Sequence, residues 1–506
     1  CIASLYDMSP RSSRSFKDAF DSRYESGFAD IMKRSLFSTK AYHKMRTAQR
    51  MEERKKVYVN FGFQESKISF YEHHQSHAAS AYYGLKKDDA PYLVITLDGG
   101  GDSLSGTVWT AQNGEMKRLV NISHEDSLGE IYAVTTHYLG FMPLEHEYKL
   151  MGMAPYASID YAKKIAEVYH SYLGIDPENP IKLKRKIPEP LSLLGPRLAK
   201  DFFLERFDNI CAGLQLFTEQ IILTLIENCI KKTGIHRILA AGGVFMNVKA
   251  NKVISENELV EYFEAFPSCS DETLPFGSCY LAANRNEEVV YPIKHFYLGN
   301  DISVKECEEI FSNNPQYQVE KPGNMAKRIA ELLADKKVVA RASGPMEFGA
   351  RALGNRSIIA DPINQDVVRV INQMIKKRDF WMPFAPVVLR EHANTYFVNP
   401  KHLPSPYMMN TFDSRDQRLE FMAAIHNADL TARPQILEQG QNSEYENILR
   451  EFDKITGRKV LLNTSFNLHG YPIVSNAKEA VEVFAQSGLE YLQIGRFILS
   501  KKPSHS

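Results

Sequence analysis

His73 and His77 stand four residues apart, so on a helix their rings leave the same face and can close on one ion. His74 points elsewhere. The spacing admits two readings, a pair of structural histidines or two ligands of a metal. Asp98 ends the apolar run Pro91-Tyr-Leu-Val-Ile-Thr-Leu97, where the chain turns through Gly99, Gly100 and Gly101. A carboxylate there costs desolvation unless a cation lies close, although an Asp beside glycine also caps its own turn. Asp271, in Pro267-Ser-Cys-Ser-Asp-Glu-Thr, is a further carboxylate or a cap for the helix starting after Pro275. The N–H groups of Gly99, Gly100 and Gly101 can hold a phosphate or an oxyanion, and Gly242 and Gly243, just before a helix, can do the same for a nucleoside. Tight turns needed only for packing would use the same glycines.

A second group of residues is cationic. Arg341-Ala-Ser-Gly-Pro-Met-Glu-Phe-Gly-Ala-Arg351-Ala-Leu-Gly-Asn355-Arg356-Ser357 sets arginine forks among glycines, a pattern suited to phosphate. Ile375-Lys376-Lys377-Arg378-Asp379-Phe-Trp-Met382-Pro-Phe-Ala-Pro386 puts cations beside a rigid aromatic segment, without the acidic partners at helical spacing that would explain a surface pairing. Thr431-Ala-Arg433-Pro-Gln435 and Leu462-Asn463-Thr-Ser465-Phe-Asn467 add another cation and a hydroxyl and amide cluster, residues that also simply close turns. A solvated basic rim is the plain alternative.

The elements that must position these residues follow from local pattern. Pro91–Leu97 reads as a strand with Ser105-Gly-Thr-Val-Trp-Thr110 as its hairpin partner, and Ile235 to Ala241 as a strand entering Gly242-Gly243 and a helix from Asn247. Residues from Asp176 to Pro196, rich in Pro and Lys, read as a surface insertion or lid. The pattern breaks between Tyr291 and Asp301, which sets domains of 1–300 and 301–506; in the second, Lys337-Val-Val-Ala340 and Val460-Leu-Leu462 are strands among amphipathic helices. A chain of 506 residues fits two large domains. With 61 basic and 61 acidic residues the formal charge is zero, which argues against polyanion binding as the main task. The basic stretch from Lys33 through Arg46 to Lys56 reads as a solvated helical face. Six scattered cysteines suit a reducing cytoplasm, and no apolar run is expected to approach the ~20 residues that cross a bilayer.

His73-His-Gln-Ser-His77-Ala-Ala-Ser-Ala, Leu97-Asp-Gly-Gly-Gly-Asp102, Glu147-Tyr-Lys149-Leu-Met-Gly-Met-Ala-Pro155-Tyr and Ala241-Gly-Gly-Val-Phe-Met-Asn247 resemble the O-carbamoyltransferases typified by the tobramycin and nodulation-factor enzymes. The resemblance covers nearly the whole chain. It implies an α/β protein with an N-terminal actin/Hsp70-like (Kae1-like) domain and a C-terminal domain similar to the YrdC fold, which makes carbamoyl adenylates. It further implies that His73, His77, Asp98 and Asp271 bind iron, an N2O2 set with open positions that also suits manganese and is unlike a closed zinc site. Nucleotide is then held at Gly99, Gly100, Gly101, Lys149, Gly242, Gly243 and Asn247. Arg351, Asn355, Lys376, Arg378, Arg433 and Ser465 bind the carbamoyl, phosphate and adenylate groups, with His73, His77, Lys376 and Arg378 carrying the chemistry.

The implied activity is ATP-dependent and Mg2+-assisted. Carbamoyl phosphate gives a carbamoyl adenylate, and the carbamoyl group passes to a hydroxyl of a small-molecule natural product. No nucleic acid or membrane partner is expected, and a homodimer is one option for assembly. Met382 stands where the family commonly has arginine, Leu430 and Tyr471 replace a frequent Gly and Glu, and the family's opening hairpin with its His-Asp pair has no match. Cys1 to Asp7 reads as the strand after that hairpin, so a segment before Cys1 is expected. Two other classes share features with this chain: a threonylcarbamoyl-type tRNA-modifying enzyme, disfavoured by neutral charge and domain fusion, and a non-catalytic nucleotide-binding partner protein, disfavoured by two polar constellations in one chain.

Overall fold

The computed structural model describes residues 2–3, 40–312, 314 and 316–501. Of the strand expected over Cys1 to Asp7 only Ile2–Ala3 is described, paired in parallel with Phe70–Tyr71. The rest of that segment, and the basic stretch before Lys40, lie outside the described residues. Contacts divide the chain into two compact units, Cys1–Ile293 and Lys294–Ser506, both mixed α/β. The residues from Lys294 onward join the second unit: Phe296 O accepts from Phe348 N at 2.7 Å, and Tyr297 donates its hydroxyl to Leu353 O at 2.9 Å.

In the first unit, helices α1 (Lys40–Asn60) and α2 (His73–Leu85) precede a five-stranded sheet. Its strands are β1 (Tyr92–Gly101), β2 (Leu104–Gln112), β3 (Glu115–Ser123), β4 (Arg237–Ala241) and β5 (Tyr262–Ala265), in the order β3-β2-β1-β4-β5. The hairpin strands β1, β2 and β3 are antiparallel, whereas β4 pairs in parallel with both β1 and β5. Leu93, Val94, Ile95 and Leu97 are all buried, so β1 is covered on both faces, which is why it reads as an unbroken apolar run. Helices α3 (Leu128–Tyr138), α4 (Phe207–Thr233), α5 (Val248–Glu256) and α6 (Leu274–Arg285) belong to the same unit, with further helices such as Ile159–Tyr172 between α3 and α4.

Two expectations need correction. Helix α4 is long and apolar enough to cross a bilayer, contrary to the sequence reading, yet most of it is buried in the unit, with Leu214, Phe217 and Leu225 fully enclosed. The residues from Asp176 to Pro196, expected as a surface insertion or lid, form an anchored insertion and not a lid. Ile181, Leu183, Leu191 and Leu194 are buried, Leu173–Ile175 and Leu183–Arg185 form a ribbon, and Arg185 N–H donates to Asp126 Oδ1 at 2.9 Å. Burying those apolar side chains ties the segment down, whatever its proline content.

The second unit is built on one mixed eight-stranded sheet: β6 (Tyr317–Glu320), β7 (Val339–Ala342), β8 (Arg356–Ala360), β9 (Ala385–Leu389), β10 (Gln435–Leu437), β11 (Val460–Ser465), β12 (Tyr491–Ile494) and β13 (Phe497–Lys501). The order is β6-β13-β12-β7-β8-β11-β9-β10. One core face gathers Ala340, Ile358, Val388 and Leu462, and the other Val339, Ile359, Val387 and Leu461, as strand alternation requires.

Candidate functional site

Helix α2 begins at the first site. Glu72 caps it, its carboxylate accepting from His74 N–H at 3.0 Å and Gln75 N–H at 2.8 Å, an arrangement that contributes about 1 kcal/mol. The His73 N–H is taken by Asp102 Oδ2 at 2.9 Å. Both His73 and His77 are buried and aim Nε2 at Asp98 Oδ2, each at 3.2 Å, and lie 3.2 Å from one another. Asp271 Oδ1 completes the group, 3.5 Å from His73 Nε2 and 3.6 Å from His77 Nε2. Ligands about 2.1 Å from a common centre stand about 3.0–3.4 Å apart, so this spacing fits a small divalent ion. The helix-cap alternative for Asp271 fails, since the helix that follows has Thr273, not Asp271, at its N-cap.

Burial opposes a charge on His77, but Asp271 and Asp98 outweigh it and push its pKa up to about 9. Burial opposes charge on Asp98 as well, yet the hydrogen bonds and charges of both histidines hold it well below the usual carboxylate range. His77 Nδ1 meets Thr273 Oγ1 at 3.0 Å, which fixes the ring with Nε2 inward. His74 goes the other way, as helix geometry demands. Its Nδ1 contacts Thr96 Oγ1 at 2.9 Å inside the unit, and burial, then His73 and His77, hold it well below the usual imidazole range.

The glycine turns converge on Asp98. Gly99 N–H donates to Asp98 Oδ1 at 2.7 Å, and a Cβ on Gly243 would come within 3.0 Å of that same oxygen. Gly242, at φ +101°, approaches the Leu97 backbone so closely that any side chain would collide. A Cβ on Gly100 would overlap the His124 ring and one on Gly101 the His73 ring. Packing therefore demands Gly100, Gly101 and Gly242 whatever else they hold, whereas a Cβ on Gly99 would meet nothing. Asn247 caps α5, accepting from Ala250 N–H at 3.0 Å, and exchanges amide hydrogen bonds with Gln215. Lys149 lies over the Phe141 ring, 5.4 Å from its centroid. No sequence pattern marks Thr273 or His124, because their contacts arise only when separate elements pack.

The second unit gathers the cations. Lys376, 3% exposed, ends a π-helical turn (Asn372–Lys376), a distortion common at functional sites, and Lys377 follows at φ +47°. Its Nζ donates to Ser465 Oγ at 3.1 Å and to Asn467 Oδ1 at 2.5 Å. Arg378 donates to Thr464 Oγ1 at 3.2 Å and lies over Phe384. Burial, then Arg378, holds Lys376 well below the usual amine range. Burial, then the charges of Arg351 and Arg378, does the same to the Arg433 guanidinium. Arg433 makes no hydrogen bond or ion pair with any described residue. Like charges gathered this way, Lys376 buried and Arg351, Arg378 and Arg433 half-buried, repel one another and suit a bound anion. Asn355 is committed elsewhere: its Nδ2 donates to Pro345 O, and its Oδ1 accepts from Asn442 and Arg341. Arg341 and Arg356 are fully buried structural cations, hydrogen-bonded to backbone oxygens.

Residues 20–279 match the family model described as carbamoyltransferase N-terminus, and residues 330–501 the one described as carbamoyltransferase C-terminus. Nodulation protein NolNO of Sinorhizobium fredii is 33% identical over 447 residues, a match covering 86% of this chain and 64% of that protein. An uncharacterised protein of Methanocaldococcus jannaschii is 33% identical over 86% of this chain and 83% of its own length. Nodulation protein NolO of Bradyrhizobium diazoefficiens is 30% identical, covering 85% and 79%. A solved full-length HypF overlaps 36% of this chain and 22% of its own at 16% identity, with a TM-score of 0.26 that carries no argument. The chain belongs to the carbamoyltransferase family.

Proposed function

We propose that the protein is an ATP-dependent O-carbamoyltransferase whose Kae1-like N-terminal unit transfers a carbamoyl group that its YrdC-like C-terminal unit activates. The observation that carries this reading is the pairing, in one chain of this family, of an N2O2 ligand group with a separate cation cluster around buried Lys376. Carbamoyl phosphate gives up its phosphate to water, and the resulting carbamate oxygen attacks the α-phosphorus of ATP, entering as its Mg2+ complex. Pyrophosphate leaves and carbamoyl adenylate remains. Lys376, Arg378, Arg351 and Arg433 meet the negative charge that develops on the phosphates, in a buried setting where fixed cations act strongly. Ser465 and Asn467 hold the Lys376 ammonium in place.

His73, His77, Asp98 and Asp271 would hold iron or manganese, which when bound supplies Lewis-acid polarisation of the carbamoyl carbonyl. Thr273 fixes the His77 ring, and the glycines let the rings and Asp98 approach one another. An acceptor hydroxyl then attacks the carbonyl carbon and gives up its proton to solvent, the bond from that carbon to the adenylate oxygen breaks, and AMP leaves with the electron pair. The test is pyrophosphate release from ATP with and without carbamoyl phosphate, in the absence of acceptor. Release that depends on carbamoyl phosphate supports the reading; release without it, or none at all from metal-loaded full chain, refutes it.

A further inference from the structure

Glu347 lies in the second unit, 4% exposed, at the base of the loop that carries Arg351. Its Oε1 alone accepts three backbone N–H groups: Leu353 at 2.6 Å, Asn355 at 3.2 Å and Arg356 at 3.1 Å. Its Oε2 is buried and makes no hydrogen bond. A carboxylate sunk this deeply costs desolvation, so the fold keeps it for what it organises. Here it organises a short loop, bracketed by Gly349 at φ +96° and Gly354 at φ +111°, conformations that L side chains rarely adopt. Arg341 donates to Gly354 O at 2.6 Å and Arg356 to Gly344 O at 2.9 Å, so both ends of the segment are pinned by buried cations. Between the two glycines stands Arg351, whose charge bears on Arg433.

We infer that Glu347 is a positioning residue for phosphate: by drawing the amides of Leu353, Asn355 and Arg356 onto one carboxylate oxygen it holds Arg351 beside Arg433, a placement their mutual repulsion opposes. The inference rests on the phosphate-binding role proposed for the cation cluster. A loop left to itself would relieve that repulsion by carrying Arg351 away, and phosphate would then have to restore the arrangement at the expense of affinity. Glu347 touches no substrate, so its effect runs through Arg351.

A double-mutant cycle on the full chain tests this, reading the dissociation constant for inorganic phosphate by calorimetry. Arg351→Ala is expected to weaken phosphate about tenfold, the loss of one charge-assisted hydrogen bond. Glu347→Ala removes the oxygen that accepts the three amides, and is expected to weaken phosphate by a comparable factor alone and by nothing further in the Arg351→Ala background. Glu347→Ala acting in full on top of Arg351→Ala, or having no effect alone, overturns the inference. An unchanged affinity in Arg351→Ala overturns the phosphate role of the cluster itself, and the inference with it. Wild-type protein offers a parallel reading that does not depend on the variants folding: phosphate should slow hydrogen exchange at the Leu353, Asn355 and Arg356 amides, and unchanged exchange contradicts the coupling.

Discussion

Asp98 Oδ2 stands 3.2 Å from two imidazole nitrogens, and this triangle sets how the first site responds to pH. With the metal chelated, the His77 pKa of about 9 lies above its ordinary value of about 6.5. A raised pKa contributes stability that is complete below about pH 6.5 and is lost as pH climbs through about 9. Asp98 acts in the opposite sense, its depressed pKa contributing stability above about pH 4 that is lost in acid. Chelated protein should therefore show a melting midpoint that falls between pH 6.5 and 9 in scanning calorimetry, a loss that bound metal removes because it replaces the proton. A midpoint flat across that window contradicts the geometry. His73→Ala should also cut iron retained after dialysis to a small fraction of wild type, read by elemental analysis. Much of this was legible beforehand, since i, i+4 spacing and a carboxylate at a strand end are local patterns. The packing demands at Gly100 and Gly101 were not, because they depend on His124 and His73 arriving from other elements.

Helix α2 and the turn leading into α6 bring His77 and Asp271 together across 194 residues of sequence, and α2 and α6 touch at Gly277. A Cβ at Gly277 would overlap the Ser76 carbonyl oxygen, which is backbone and cannot turn aside. Gly277→Ala should therefore push α6 off α2, destabilise the first unit by about 1–3 kcal/mol and weaken metal binding with it. Denaturant titration and metal affinity check the two effects, and wild-type values in both would show that the helix contact gives way freely. The strands were readable from apolar runs and glycine turns. The buried tether over Asp176–Pro196 was not, because proline and lysine content says nothing of where Leu191 and Leu194 go. Nor did the arginine-rich segment distinguish structural Arg341 and Arg356 from Arg351, a matter of which strand faces are covered.

At the scale of the whole chain, each unit has its own sheet and its own polar site. Separate cores imply separate cooperative transitions, so chelation should lower one calorimetric transition and inorganic phosphate should raise the other. A single transition moved equally by both would contradict independent sites. The likeness to carbamoyltransferases could be read from a few motifs, but what their residues do for the fold, as Asn247 and Asn355 show, emerges only from their hydrogen bonds. The division of labour is tested most directly by carbamoyl-phosphate-dependent pyrophosphate release in two variants of the full chain. The account predicts that His73→Ala retains this release while losing transfer to an acceptor, and that Lys376→Met loses release about a hundredfold or more, the scale of one transition-state charge contact. Loss of release in His73→Ala, or its survival in Lys376→Met, would contradict it.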